Sequence, residues 1–305
     1  AADECAERLP GWELFLCDNV MPKLGVLRIE PVQQVIRDLF LRRIIRAKGL
    51  SKTERLIDGI LMPTPSAILQ AMELLAKGTS RTAGLGDLVA VDLGGATTDV
   101  YSIASGAPKT ANTILKGFAE PYAKRTVEGD IGMRYSASGV LEAVGVQRLS
   151  ALSGLGETQI TQLLSAIREN PGLLPQTAAE EALDNALAAA AVETAFTRHA
   201  GTLEQVYTPM GPAYSQSGKD LTGVETLVMT GGAIIHNKKA GQVAAYTLYN
   251  PRTPASLKPK RVRAWVDRSY ILAAMGLLGE ADPDTAVTIM KKELEDYGTV
   301  EQAAV

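Results

Sequence analysis

The run Val89-Ala90-Val91-Asp92-Leu93-Gly94-Gly95-Ala96-Thr97-Thr98-Asp99-Val100-Tyr101-Ser102-Ile103 constrains this chain more than any other. Its two apolar, β-branched stretches flank a glycine pair, which predicts a buried strand, a tight turn and a second strand. Glycines without a Cβ let backbone N–H groups approach an anion closely. Thr97 and Thr98 add hydroxyl donors. Asp92, at the strand end, is placed to hold a magnesium ion through water, and Asp99 to orient the turn or a water molecule. The pattern fits a phosphate cradle and points to a nucleoside triphosphate. A plain hairpin, whose Asp and Thr bond their own backbone, has the same wording. The order of features around the run separates the two.

With 305 residues, the chain is long enough for about two domains and a sizeable core. A hydrophobic share of 46% and a charged share of 21% are those of an ordinary globular protein. Cys5 and Cys17 are its two cysteines, which implies a reducing, cytoplasmic setting rather than a disulfide framework. The formal net charge of −3 argues against bulk nucleic-acid binding. Arg37, Arg42, Arg43, Arg46 and Lys48 share one predicted helix and read as a solvated face. No apolar run is long enough to span a bilayer, and a signal peptide is not expected.

Residues 1–30 read as irregular or mixed, broken by Pro10, Gly11, Pro22 and Gly25. A helix is predicted from Pro31 to Lys48, with Val32, Val35, Ile36, Leu39 and Phe40 as its apolar stripe and Gly49 as its stop. A short strand is predicted at Ile57 to Met62. A second helix is expected to start with Thr64 as N-cap and Pro65 at its first position, and Gly78 to end it. A third strand is expected within 110–146, followed by a small-residue helix. From about Ser150 to Gly201 the pattern is helical, broken at Asn170-Pro171-Gly172. Thr177 and Glu180 form a capping box before an alanine-rich helix. Residues 202–223 read as loop, and Thr226 to Met229 as a buried strand running into Thr230-Gly231-Gly232. Asp267 is expected to open an apolar helix through Leu278, and Asp282-Pro283 a last helix that Gly298 stops. Strands alternating with helices give an α/β class.

Four features follow in order: Met62-Pro63-Thr64-Pro65-Ser66-Ala67, Asp92 to Asp99, Thr230-Gly231-Gly232, and Asp267-Arg268-Ser269-Tyr270-Ile271-Leu272-Ala273-Ala274-Met275-Gly276. This order resembles the actin/Hsp70/sugar-kinase ATPase superfamily. The resemblance implies an actin-like (ribonuclease H-like) ATPase fold with two lobes around a nucleotide cleft. It makes Asp92 and Asp99 the catalytic pair and Asp92 the magnesium contact. Gly94, Gly95, Ala96, Thr97 and Thr98 would form the second phosphate loop, and Gly231, Gly232 and Ala233 the adenosine loop. The segments at Thr64 and Asp267 would be hinge-side helices. The superfamily's first phosphate loop, an Asp-x-Gly turn, has no counterpart before residue 55. The first part of lobe I is therefore expected to be missing, with residues 1–80 its remainder plus a hinge helix, and residues 81–305 lobe II with a helical insertion at about 150–222.

A narrower resemblance rests on Pro63-Thr64-Pro65, Gly86-Asp87-Leu88, Asp92 to Val100, Glu128-Gly129-Asp130-Ile131-Gly132-Met133-Arg134, Arg198-His199-Ala200-Gly201 and Gly218-Lys219-Asp220-Leu221-Thr222. Together these are similar to the MutL accessory proteins of glutamate mutase operons, which share only a name with mismatch-repair MutL. The resemblance implies an ATP-dependent chaperone that reactivates an adenosylcobalamin-dependent mutase, with ATP and magnesium as cofactors and mutase subunits as partners. Homo-oligomers are compatible with it, and neither nucleic acid nor membrane is implied. A small-molecule kinase and a non-enzymatic assembly scaffold are the alternatives. Glu128 and Asp130 read either as the ribose side of a cleft or as a surface loop. His199 is expected to cap or to be buried, Lys219 and Asp220 to form a solvated pair, and His236 to lie near the adenosine loop.

Overall fold

A computed structural model describes residues 2–47, 62–209 and 211–301. Contacts divide the chain into two units, Ala1–Pro63 and Thr64–Val305. The predicted strand at Ile57 lies, but for Met62, outside the described residues, as does the Gly49 helix stop. The smaller unit holds α1 (Ala2–Arg8) and α2 (Glu30–Ala47). Many of its large apolar side chains are open to solvent, Trp12 and Leu24 most of all; on α2 Ile36 and Phe40 are exposed, while Val32, Val35 and Leu39 are half-buried. The expected stripe is therefore present in sequence, but its described side chains enter no core.

The larger unit opens with α3 (Thr64–Lys77), β1 (Leu88–Leu93), β2 (Thr98–Ile103), β3 (Thr113–Lys116) and β4 (Ala123–Glu128). Helices α4 (Ala137–Val144), α5 (Val146–Ser153), α6 (Glu157–Glu169) and α7 (Ala178–His199) follow. The chain then forms β5 (Thr202–Thr208), β6 (Gly211–Ser217), β7 (Thr226–Thr230), α8 (Gly232–Ile235), α9 (Ala240–Ala244), β8 (Arg261–Val266), α10 (Leu272–Ala281), α11 (Pro283–Glu293) and β9 (Glu295–Glu301).

A six-stranded mixed sheet runs β4-β2-β1-β7-β8-β9. Strands β1, β7 and β8 are parallel, and the remaining pairings are antiparallel. Both faces are covered, which is why the central strands read as unbroken apolar runs. On one face Val89, Val91, Leu93, Val100, Leu227 and Met229 pack with Leu187, Ala190, Ala191 and Phe196 of α7. The alanines of that helix let it lie close to the strands. On the other face Leu88, Ala90, Tyr101, Ile103 and Val228 pack with Ile68, Met72 and Leu75 of α3, Leu272 of α10, and Val287 and Met290 of α11. The capping box forms as expected: Glu180 N donates to Thr177 Oγ1 at 3.3 Å, and Thr177 N donates to Glu180 Oε2 at 2.9 Å.

Four expectations are corrected. The chain forms strands over 202–208 and 211–217, not loop, so the helical insertion expected at about 150–222 ends at His199; β5 and β6 pair with β3 in a small three-stranded sheet. Its strands are mostly half-buried or exposed, with Ala213 and Gln216 buried, so its sequence shows little polar–apolar contrast. Strand β8 was not anticipated behind the proline-rich loop, although its alternation of exposed and buried residues is regular. Helix α10 starts at Leu272 rather than Asp267. The last helix stops at Glu293, and Gly298 lies within β9, next to a register shift at Ala264/Trp265.

Helices α3 and α10 cross where Gly276 meets Ala67. A Cβ at Gly276 would stand 1.9 Å from the Ala67 carbonyl oxygen and 2.6 Å from its carbon. Backbone cannot yield as a flexible side chain would, so Gly276→Ala is expected to cost roughly 1–3 kcal/mol in urea-induced unfolding, by forcing the helices apart.

Candidate functional site

The strand ends gather the chemistry. Asp92 pairs across the antiparallel ladder with Asp99, and across the parallel ladder with Thr230. Cross-strand partners share a face, so these three side chains stand in a row. The row continues to Asp267, just beyond β8, where Thr230 Oγ1 donates to Asp267 Oδ2 at 3.1 Å. Asp267 is almost fully buried. Its oxygens accept from the N–H groups of Ile271 at 3.0 Å and Leu272 at 3.2 Å. It therefore starts α10 from a distance, which is why the helix opens later than its sequence suggests.

Asp99 is neutralised by Arg125 from the neighbouring β4. Nε and Nη2 of that guanidinium approach Asp99 Oδ1 at 2.7 and 2.6 Å. Asp92 has no such partner and accepts no hydrogen bond among the described residues. Burial, then the charges of Asp99 and Asp267, push its pKa up to about 6, partly offset by Arg125. A half-buried carboxyl poised near neutrality at a strand end suits a proton acceptor.

The turn itself is braced from outside. Gly94 N donates to Thr97 O at 2.9 Å. The Gly94 carbonyl accepts from Met133 N at 3.0 Å, and the Gly95 carbonyl from Arg134 N and Tyr135 N at 2.8 and 2.9 Å. Thr98 is fully buried, and its hydroxyl donates to Ile131 O at 2.9 Å, so that side chain braces the turn and is not free to donate to a ligand. Thr97 Oγ1 lies 3.4 Å from Asp99 Oδ2. With the carbonyls drawn toward residues 131–135, the N–H groups of Gly95, Ala96 and Thr97 take no acceptor within the described residues. Three successive open donors on a turn form an anion-binding concavity.

Gly231 brings the glycine pair against this turn. Its φ is +97°, and a Cβ there would fall 2.4 Å from Leu93 O and 2.6 Å from Asp92 Oδ1, so only glycine fits. Gly232 is exposed and faces open space, and Ala233 is half-buried. Arg268 fixes the end of α8, its guanidinium bonding the carbonyls of Ile234, Ile235 and Asn237 and reaching Glu295. Among the described residues no three His, Cys, Asp or Glu side chains gather into a direct metal cage. The unpartnered Asp92 carboxylate is the group there that could hold a magnesium ion, through water.

Other residues singled out in the sequence lie elsewhere. His199 is buried, with Nδ1 2.7 Å from Thr126 Oγ1 and Nε2 2.8 Å from Ser102 Oγ. Burial, then Lys124 and Lys219, hold its pKa down to about 3, so it stays neutral. The solvated Lys219–Asp220 pair is corrected: both side chains are buried. Lys219 Nζ donates to Tyr122 O at 2.7 Å and Ser102 O at 3.2 Å, and Asp220 accepts from Thr222 and Lys109. Glu128 and Asp130 face Arg198, at 2.5 and 3.5 Å. His236 is exposed at the end of α8. Sequence reasoning missed Arg125; its position two residues before Val127, the cross-strand partner of Asp99, becomes readable only once β4 is placed.

Because the Asp92 pKa is higher in the folded state than the ordinary 3.8, ionising it costs stability as the pH rises from about 4 through 6. Asp92→Asn is expected to melt at a higher temperature than the parent above about pH 7, with the advantage fading as the pH falls toward 4. Thermal melts across that range check it.

The family model described as MutL protein matches residues 1–294. Protein MutL of Clostridium tetanomorphum is 44% identical over 295 residues, covering 96% of this chain and 64% of that relative. The chain thus spans less than two thirds of the relative's length. With the family match running through both units and across the whole strand-end site, the chain belongs to the MutL protein family.

Proposed function

We propose that residues 64–301 form most of one lobe of an actin-like ATPase, and that in the whole protein ATP binding and hydrolysis drive lobe closure to reactivate an adenosylcobalamin-dependent mutase of the glutamate mutase or aminomutase type. The observation that carries the ATP site is the run of open N–H donors at Gly95, Ala96 and Thr97 beside the partnerless Asp92. These donors cradle a phosphate, and they point where negative charge concentrates in phosphoryl transfer. Asp92 positions a water and accepts its proton, while Asp99, held by Arg125, sets the charge around it. Gly231, Gly232 and Ala233 flank the nucleoside side. The magnesium ion would neutralise the phosphates through Asp92-bound water. The mutase assignment is supported by the family match alone. On this reading the protein works in the cytoplasm, and any corrinoid contact is made through the partner.

The test uses Gly232, where an added side chain meets nothing within 4 Å. Gly232→Glu is expected to leave the melting temperature unchanged and to weaken ATP binding at least about tenfold, by setting a bulky, charged side chain where the nucleoside would lie. Unaltered affinity would sink the site assignment. In the protein of full MutL length, Asp92→Asn is expected to lower ATP turnover by about 100-fold or more while binding persists. Turnover by the parent should rise with a mutase carrying inactivated cobalamin. Phosphate appearing on a small molecule would favour a kinase, and ATP-indifferent mutase binding a scaffold.

A further inference from the structure

Tyr270 has a backbone that its side chain does not favour. Its φ is +52°, in the left-handed region, where a bulky aromatic residue is an outlier; the other such non-glycine among the described residues is Asn112, a residue that tolerates it. Strain of this kind persists only where neighbouring interactions fix the chain, and it clusters at ligand sites. Two of the three preceding residues fix this one. Asp267 is pinned by Thr230 and by the first N–H groups of α10, and Arg268 is pinned by the carbonyls of Ile234, Ile235 and Asn237. The Tyr270 N–H closes the turn on Asp267 O at 3.4 Å.

Packing does not account for the tyrosine. The residue is 54% exposed, and its hydroxyl has no protein partner among the described residues. Glycine or asparagine would hold the same turn with less strain. What the position offers is location. Tyr270 stands three residues after Asp267 and two before α10, so its backbone lies at the Asp267 end of the carboxylate row. Partial burial, then the charges of Asp92 and Asp267, raise its pKa above the usual phenol range, so the hydroxyl remains a donor. A neutral donor beside carboxylates suits an anion that would otherwise meet only acceptors there.

We propose that Tyr270 is a ligand-contacting residue of the phosphate site, its hydroxyl donating to the terminal phosphate of the nucleotide held by the 94–97 turn. This rests on the ATP reading above and adds a determinant that favours triphosphate over monophosphate. The turn bears the strain so that the ring covers the outer side of the phosphates while the backbone donors cover the inner side.

The test compares Mg·ATP and AMP binding by the parent chain, Tyr270→Phe and Tyr270→Asn, by calorimetric titration, with a thermal melt of each free protein. Tyr270→Phe keeps the ring and the strain and removes only the hydroxyl. It is expected to weaken Mg·ATP about tenfold, to leave AMP binding unchanged, and to melt as the parent does. Tyr270→Asn suits the left-handed backbone and is expected to show the same loss of ATP preference. A Phe variant with the parent's ATP-to-AMP ratio would overturn this proposal and leave the ATP site standing, even if the Asn variant were impaired. A parent chain that binds Mg·ATP no better than AMP would overturn the proposal, and one that binds neither would overturn the ATP reading with it.

Discussion

A buried carboxylate must find donors, and Asp267 finds them in three places at once. It takes the Thr230 hydroxyl at the end of β7 and two N–H groups at the start of α10, from its own place beyond β8. Removing it would leave a buried hydroxyl and two helix-end donors without partners, each costly in a site closed to water. Much of the site's geometry follows from this node. It aligns the ends of the parallel strands, and α10, once started there, crosses α3 at the Gly276–Ala67 contact. The same crossing presses α3 onto the sheet face that carries Asp92 and Asp99.

Charge at this end of the sheet is deliberately uneven. Asp99 and Asp267 are both satisfied, one by Arg125 and one by backbone and hydroxyl donors. Asp92 sits between them with its lone pairs unused, and it bears the repulsion of both. Two carboxylates are thus partnered by structure, and the third is left without a donor. A protein concerned only with stability would pair all three or replace the middle one. The unpaired Asp92, the open N–H donors of the turn and the strained Tyr270 are three local departures from what stability alone selects, gathered at one strand end.

The parts of the fold legible in the sequence are those where one residue's chemistry acts locally. The capping box at Thr177 and Glu180, the Asp282-Pro283 helix start and the β1–β2 hairpin around Gly94 and Gly95 depend on neighbours within a few positions. What was not legible depends on distant partners. Strands β5 and β6 lack apolar contrast because few of their residues are fully buried, and they are specified by pairing with each other and with β3. Lys219 looked solvated because nothing nearby in sequence reveals that Gly106, Ser102 and Tyr122 close over it. At the site, the glycines and Asp92 were visible as a pattern. The commitment of Thr98 to Ile131, and of Asp99 to Arg125, required β4 and the segment after it to be in place.

The strand order also sets a sequence of events during synthesis. Strands β1, β2 and β4 can zip together as soon as they emerge, because each antiparallel partner follows closely in the chain. The other edge of β1 waits for β7, which lies beyond the whole helical run ending in α7, and β7 waits in turn for β8. Until then β1 presents an open, apolar, unpaired edge in the nascent chain. Pairings so far apart in sequence raise the contact order and slow folding. A transiently open edge of this composition also invites pairing with other chains. The arrangement that places Asp92 between β2 and β7 thus makes the half-built sheet the stage at which this protein depends most on dilution or on a chaperone of its own.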